Sequence, residues 1–125
     1  MYYIRNVRRS YFKKIKVMSF ETTLNKGFMM QFENGFKISV QWGVLNYCTR
    51  KNDTEDFNQP QNQDHWESAT AEIAVFDKNG EMVEITNNDV VAGWLTTDEV
   101  AKVITICSSA VTANEISKKV KSLNL

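Results

Sequence analysis

The chain has little of what catalysis, metal binding and secretion usually draw on: one histidine, two cysteines, one proline and five glycines in 125 residues. His65, Cys48 and Cys107 fall short of the four N, S or O ligands of a structural zinc site, so no metal is expected. Two cysteines are also too few for a disulfide framework, and they read as free thiols in a reducing compartment. Gly27, Gly35, Gly43, Gly80 and Gly93 are scattered along the chain and form no phosphate-cradling loop. No cofactor is therefore expected. An uninterrupted apolar run long enough to cross a bilayer is missing, and the first seventeen residues carry too many charges for a secretion signal. These absences place the protein in the cytoplasm, away from membranes.

What is present begins with charge. The formal net charge is zero, yet Arg5, Arg8, Arg9, Lys13, Lys14 and Lys16 fall in residues 1–17 without a single acid. The remainder, 18–125, carries all fifteen Asp and Glu and reads as one acidic domain, large enough to bury a real core. A basic arm with Tyr2, Tyr3, Tyr11 and Phe12 interleaved has the ingredients to grip phosphates and stack on bases. Two other readings stand beside it. The arm could dock on the acidic body of its own chain or of a second subunit in a homodimer, or it could be an upstream extension, since Met18 opens a plausible start.

Two turn signals, Glu33-Asn34-Gly35 and Lys78-Asn79-Gly80, each lie between alternating apolar runs. A two-residue turn at the first would set Phe32 opposite Lys37 and mismatch the faces. A three-residue loop closed by Gly35 in the left-handed region instead pairs Phe32 with Phe36, Met30 with Ile38 and Phe28 with Val40. The same loop at the second signal pairs Phe76 with Met82, Val75 with Val83 and Ile73 with Ile85. Val90 to Leu95 offers a fifth strand.

Thr96-Thr97-Asp98-Glu99 is a capping box, and Val100, Val103, Ile104, Cys107 and Val111 follow at helical spacing. A second box, Thr112 to Glu115, opens a short helix with Ile116, Val120 and Leu123 inward. The expected fold class is α+β: an antiparallel sheet of two β-hairpins plus a fifth strand, packed against one C-terminal helix that a short second helix follows.

Between Thr49 and Ser68 the pattern lapses into a long polar loop, which in a compact domain is either functional or disordered. If its ends meet, Trp42, Tyr47, Arg50, His65, Trp66 and Glu67 would form an aromatic-walled pocket carrying both charge signs, suited to a ligand or a partner. Catalytic readings are thin. His65 could serve with Cys48 or a nearby carboxylate in a hydrolase, and Glu72 and Glu84, which share a face in the second hairpin's register, could act as paired carboxylates. No local signature supports either.

The phrases Gly35-Phe36-Lys37-Ile38-Ser39-Val40-Gln41-Trp42-Gly43, Asn46-Tyr47-Cys48, Ala71-Glu72-Ile73-Ala74-Val75 and Gly93-Trp94-Leu95-Thr96, running on into Asp98-Glu99-Val100, resemble a family of small tailed-phage and prophage proteins. The resemblance spans Phe28 to Asp98 and implies a genomic setting, in a bacterial host cell, with no chemistry attached. It suggests a non-enzymatic accessory protein that binds a host protein or sequesters a small host signal, as in counter-defence. The alternatives are a nucleic-acid-binding module using the basic arm and a small hydrolase using His65.

Overall fold

The structure, a computed structural model, describes residues 18–24, 26–53 and 66–125. The strands are β1 (Ser19–Thr22), β2 (Gly27–Gln31), β3 (Lys37–Gln41), β4 (Ala71–Phe76) and β5 (Val91–Leu95), followed by helices α1 (Thr97–Ser109) and α2 (Ala113–Lys121). The sheet follows chain order, β1-β2-β3-β4-β5, with every neighbouring pair antiparallel. Fold class is thus α+β, with both described helices after the strands. None of the described helices is long and apolar enough to cross a membrane.

The first hairpin takes the register that its apolar pattern demands. Phe28 faces Val40 and Met30 faces Ile38. The Phe32 N–H donates to the Phe36 carbonyl at 2.9 Å and the Gly35 N–H to the Phe32 carbonyl at 2.9 Å. Gly35 closes the loop at φ 92°, a conformation that costs a side-chain-bearing residue but not glycine. One face of β3 is buried as a result, with Phe36 just before it and Ile38 and Val40 within it.

The second turn repeats this geometry. Asp77 N–H donates to the Glu81 carbonyl at 2.7 Å, Gly80 N–H to the Asp77 carbonyl at 3.0 Å, and Gly80 sits at φ 83°. Phe76 then faces Met82, and Val83 N–H reaches the Val75 carbonyl at 2.8 Å. Beyond that point the expected register fails: Ile85 N–H turns to Asp89 at 3.0 Å, and Ile73 pairs with Ala92 instead of Ile85. The chain loops out between Val83 and Val91 and returns as β5 to the same edge of β4. The presumed return strand and the presumed fifth strand are therefore one interrupted arm. β1 supplies the fifth strand of the sheet. Val83 and Ile85 remain buried, so the apolar alternation in the excursion serves the core without forming a ladder.

Helix α1 begins as its capping box requires: Thr96 Oγ1 accepts the Glu99 N–H at 3.2 Å, and the Glu99 carboxylate accepts the Thr96 N–H at 2.9 Å. The helix packs on β3 and β4 through Val100, Val103 and Cys107. Burial pushes the Cys107 thiol up to about 12, so it stays protonated and fills the core. Val111, expected on this stripe, is 72% exposed, because extended backbone at Ala110 ends the helix and turns the chain off its axis. In α2, Ile116 and Val120 are buried as their spacing predicts. Its cap differs from the expected box: Thr112 accepts the Glu115 N–H, but the Glu115 carboxylate takes the Val111 N–H, one residue before the cap.

Asn34 ties these pieces together. Its amide donates to the Cys107 carbonyl at 2.8 Å and the Ala110 carbonyl at 2.9 Å, while its Oδ1 accepts the Phe36 N–H at 3.1 Å. No basic residue occupies the last turn of α1, so a hairpin turn satisfies carbonyls that a helix end leaves open. Replacing Asn34 with Ala should cost about 1–3 kcal/mol in urea unfolding, the penalty for stranding part-buried polar groups. Asn34→Asp should cost at least as much at neutral pH, because a carboxylate would face two carbonyls at the negative helix end. Asn79→Asp, at the equivalent place in the other turn, should be close to neutral.

A second prediction concerns acid. The Val111 N–H first, then the Lys119 ammonium at 2.9 Å, hold the Glu115 carboxyl below its ordinary 4.5. This contribution to stability is complete above the unfolded carboxyl's pKa and is lost as pH falls through the lower folded value. Glu115→Gln should flatten that part of the acid-unfolding profile, with a small loss of stability at neutral pH that vanishes in acid once the wild-type carboxyl is protonated, as measured by urea unfolding followed by circular dichroism across pH.

Candidate functional site

The two ends of the long loop meet. The indole N–H of Trp42 donates to the Trp66 carbonyl at 2.9 Å, and the indole N–H of Trp66 donates to the Trp42 carbonyl at 3.1 Å. This reciprocal clasp satisfies both indoles and two backbone carbonyls at once. Trp42 reaches it because it continues the apolar parity of Ile38 and Val40, and the Phe28 ring meets it edge-on at 6.1 Å. Trp66 is buried beneath the Arg50 guanidinium, whose carbon lies 3.6 Å from the ring centroid, and Lys26 Nζ lies 5.4 Å from the same ring.

Arg50 is fully engaged by this role. Its Nε and Nη2 both meet Asp53 at 3.0 Å, and its Nη1 donates to the Glu67 carbonyl at 2.9 Å. The arginine is thus a clamp on Trp66 and not a charge offered to a ligand. Stacking on an aromatic face while hydrogen-bonding in plane is what a guanidinium does and an ammonium cannot.

The clasp walls a cavity of about 360 Å³ at the open end of the sheet–helix sandwich. Phe28, Val40 and Trp42 form its sheet side, Leu95 and Ala71 its floor. Val100, Ala101 and Ile104 of α1 form the opposite wall. Glu67, Ser68, Thr70 and Thr97 supply the few polar groups in the lining. Both indole N–H groups are spent on the clasp, so the Trp surfaces facing the cavity act as plain apolar wall. Its size lies within the range of small-molecule sites.

Tyr47 stands elsewhere. Glu72, on the sheet face opposite the helix, accepts the Tyr47 N–H at 3.0 Å and the Asn46 amide at 3.0 Å, and the Asn46 Oδ1 accepts the Gly43 N–H at 2.9 Å. The Tyr47 carbonyl accepts the Trp94 N–H at 2.8 Å, and the two rings lie 5.4 Å apart at 33°. A Cβ on Gly93 would come within 2.5 Å of the Tyr47 Cβ, so only glycine admits this approach. Trp94 itself sits at φ 54° in the bulge that breaks the β4–β5 register. Holding a bulky residue there costs on the order of 1–3 kcal/mol.

Of the expected site residues, the structure brings Trp42, Arg50, Trp66 and the Glu67 backbone together and separates Tyr47 from them. His65 lies outside the described residues, as do Arg5, Arg8, Arg9, Lys13, Lys14 and Lys16. Cys48 is buried, with its thiol donating to the Gly43 carbonyl at 3.4 Å. Glu72 and Glu84 do not form a pair: Glu72 holds the 43–47 segment, whereas Glu84 meets Lys121 of α2. The shared face assumed for them required residue 84 to lie in the β4 ladder, and the chain has left it by then. Among the described residues, no group of three His, Cys, Asp or Glu side chains is placed to hold a metal ion. The helix wall of the cavity and the Trp94 bulge were not anticipated. Gly93 inside an apparent strand was the available signal for the bulge.

Trp66→Phe should keep the stack beneath Arg50 but strand the Trp42 carbonyl, costing about 1–3 kcal/mol. Trp66→Ala should cost roughly 3–5 kcal/mol. Chemical denaturation measures both, and a negligible loss for Trp66→Phe beside a large one for Trp66→Ala would mean that the clasp contributes nothing beyond ring burial.

Comparison with protein-family models, with curated proteins and with solved structures finds no match to this chain.

Proposed function

We propose that the protein is a non-enzymatic binding protein, an accessory of the kind that phages and prophages encode, and that its binding site is the cavity between the Trp42–Trp66 clasp and α1. The single observation that carries this reading is the clasp itself, which presents two rigid, internally satisfied indoles to an open apolar space. Such a wall recognises shape and apolar surface. An inserted leucine-sized side chain of a host protein, or the apolar part of a small host-made molecule, would gain about 1.5–3 kcal/mol from burial there. Polar groups at Glu67, Ser68, Thr70 and Thr97 would orient it. Interference with host physiology or defence through this contact follows from the phage setting that the strand-and-turn phrases suggest.

Ala101 is an exposed helix residue at the cavity wall, so Ala101→Trp should fill the space without disturbing the core. Amide spectra of the labelled protein titrated with indole should show shifts at Val100, Ile104 and Leu95 in the wild type and none in the filled variant. A host protein bound through this site should be recovered from bacterial lysate by the wild type and reduced at least about tenfold by the filling. The proposal would be abandoned if indole leaves those amides unmoved and both proteins recover the same set of partners.

A further inference from the structure

The sheet face away from the helices is not a uniform solvated surface. Tyr47 and Trp94 lie on it as a tilted ring pair, 48% and 56% exposed, with Lys51 Nζ over the Tyr47 ring, 4.8 Å from its centroid. On the same face, Lys37 Nζ lies 5.8 Å from the Phe76 ring, and these two residues are direct cross-strand partners. Between the two cation–ring pairs the surface is low: Ala74 of β4 faces Ser39 on one side and Val91 on the other. Glu72, under the Tyr47 pair, and Phe76 are four positions apart on β4, a distance of roughly 13 Å along the strand.

The fold spends strain to hold the first pair in place. A left-handed residue in a bulge is cheapest as glycine or asparagine, yet this chain carries tryptophan there and leaves most of it in solvent. Tyr47 is fixed from both sides of its backbone, by Glu72 at its N–H and by Trp94 at its carbonyl. Its ring position is therefore built in. Among the described residues no carboxylate pairs with Lys51 or Lys37. The nearby acids are directed into backbone: Glu72 into the 43–47 segment, and Asp77 Oδ1 into the N–H groups of Asn79 and Glu81 at 2.8 and 2.9 Å.

We infer that this face is a stacking track for single-stranded nucleic acid, with Tyr47–Trp94 and Phe76 as platforms for two bases and Lys51 and Lys37 as phosphate contacts. Base faces stack on aromatic rings with little regard to sequence. The Lys51 and Lys37 ammonium groups, which lie over the Tyr47 and Phe76 rings and pair with no carboxylate among the described residues, would swing off those rings to meet phosphates as bases take their place. Two platforms on one face, separated by small side chains, suit a strand better than a lone nucleotide. The site is separate from the Trp42–Trp66 cavity and does not depend on what that cavity binds.

The test uses the full chain and measures anisotropy of fluorescein-labelled oligothymidylate and oligouridylate, with AMP and ATP as competitors. The wild type should bind the oligomers, more weakly as salt rises. Trp94→Gly and Trp94→Asn should keep or raise the thermal midpoint, because both residues tolerate the left-handed backbone, while affinity falls roughly tenfold or more. Phe76→Ser should weaken oligomer binding, and Lys51→Gln should lower the salt slope by about one phosphate contact. If AMP or ATP competes as well as an oligomer and Phe76→Ser has no effect, the site takes free nucleotide and the two-base track is overturned. Oligomer binding that survives in both folded Trp94 variants belongs to another part of the chain, and the inference fails. It fails equally if the wild type binds none of these probes at low salt.

Discussion

The three-residue turn at Glu33-Asn34-Gly35 is the constraint on which the rest of the structure rests. Gly35 at positive φ fixes the β2–β3 register, and that register decides which side chains of both strands face α1. A slip of one residue would move Ile38 and Val40 to the solvent face and take Trp42 with them, since it shares their parity. The Trp42–Trp66 clasp and the cavity wall would go too. The same turn sends the Asn34 amide to the end of α1, so the element that sets the register also sets where the covering helix stops.

The sheet divides the molecule into two chemically different surfaces. On the helix side, the alternating burial of β3 and β4 continues through Val100, Val103 and Cys107 into one core. That side opens where the N-terminal half of α1 stands off the Trp42–Trp66 clasp. On the other side, Glu72 anchors the segment 43–47 and the β5 bulge lifts Trp94 toward Tyr47. The long loop thus serves both surfaces. Its first residues reach the open face, and its last residues return to close the apolar end.

The hairpins were legible because turn chemistry and period-two alternation act over a few neighbouring residues. Both turns formed as read, down to the glycine that closes each. The return arm of the second hairpin was not legible in the same way. Met82 to Ile85 and Val90 to Leu95 both alternate, and each is suited to the outer edge of β4. Only the folded chain shows that they share this edge, with Ile85 and Asp89 turning the intervening residues outward. Half of the candidate site was likewise visible: the aromatic ends of the loop meet, but the assumption that every aromatic near those ends points inward misplaced Tyr47. Its direction is set by Glu72 and Gly93, which are distant in sequence and offer no local sign of the contact.

By itself, the order of amino acids determined the α+β class, the register of the first hairpin, the capping of α1 and the fate of Cys107 as core. Each depends on a local rule or on a single periodic face. Tertiary structure alone decided that a turn asparagine would cap a helix, that two apparent strands would become one interrupted arm, and that the loop's aromatics would part to opposite faces of the sheet. Those outcomes depend on which backbone donors, acceptors and ring faces come within a few ångströms across long sequence separations, and a linear pattern holds no record of that distance.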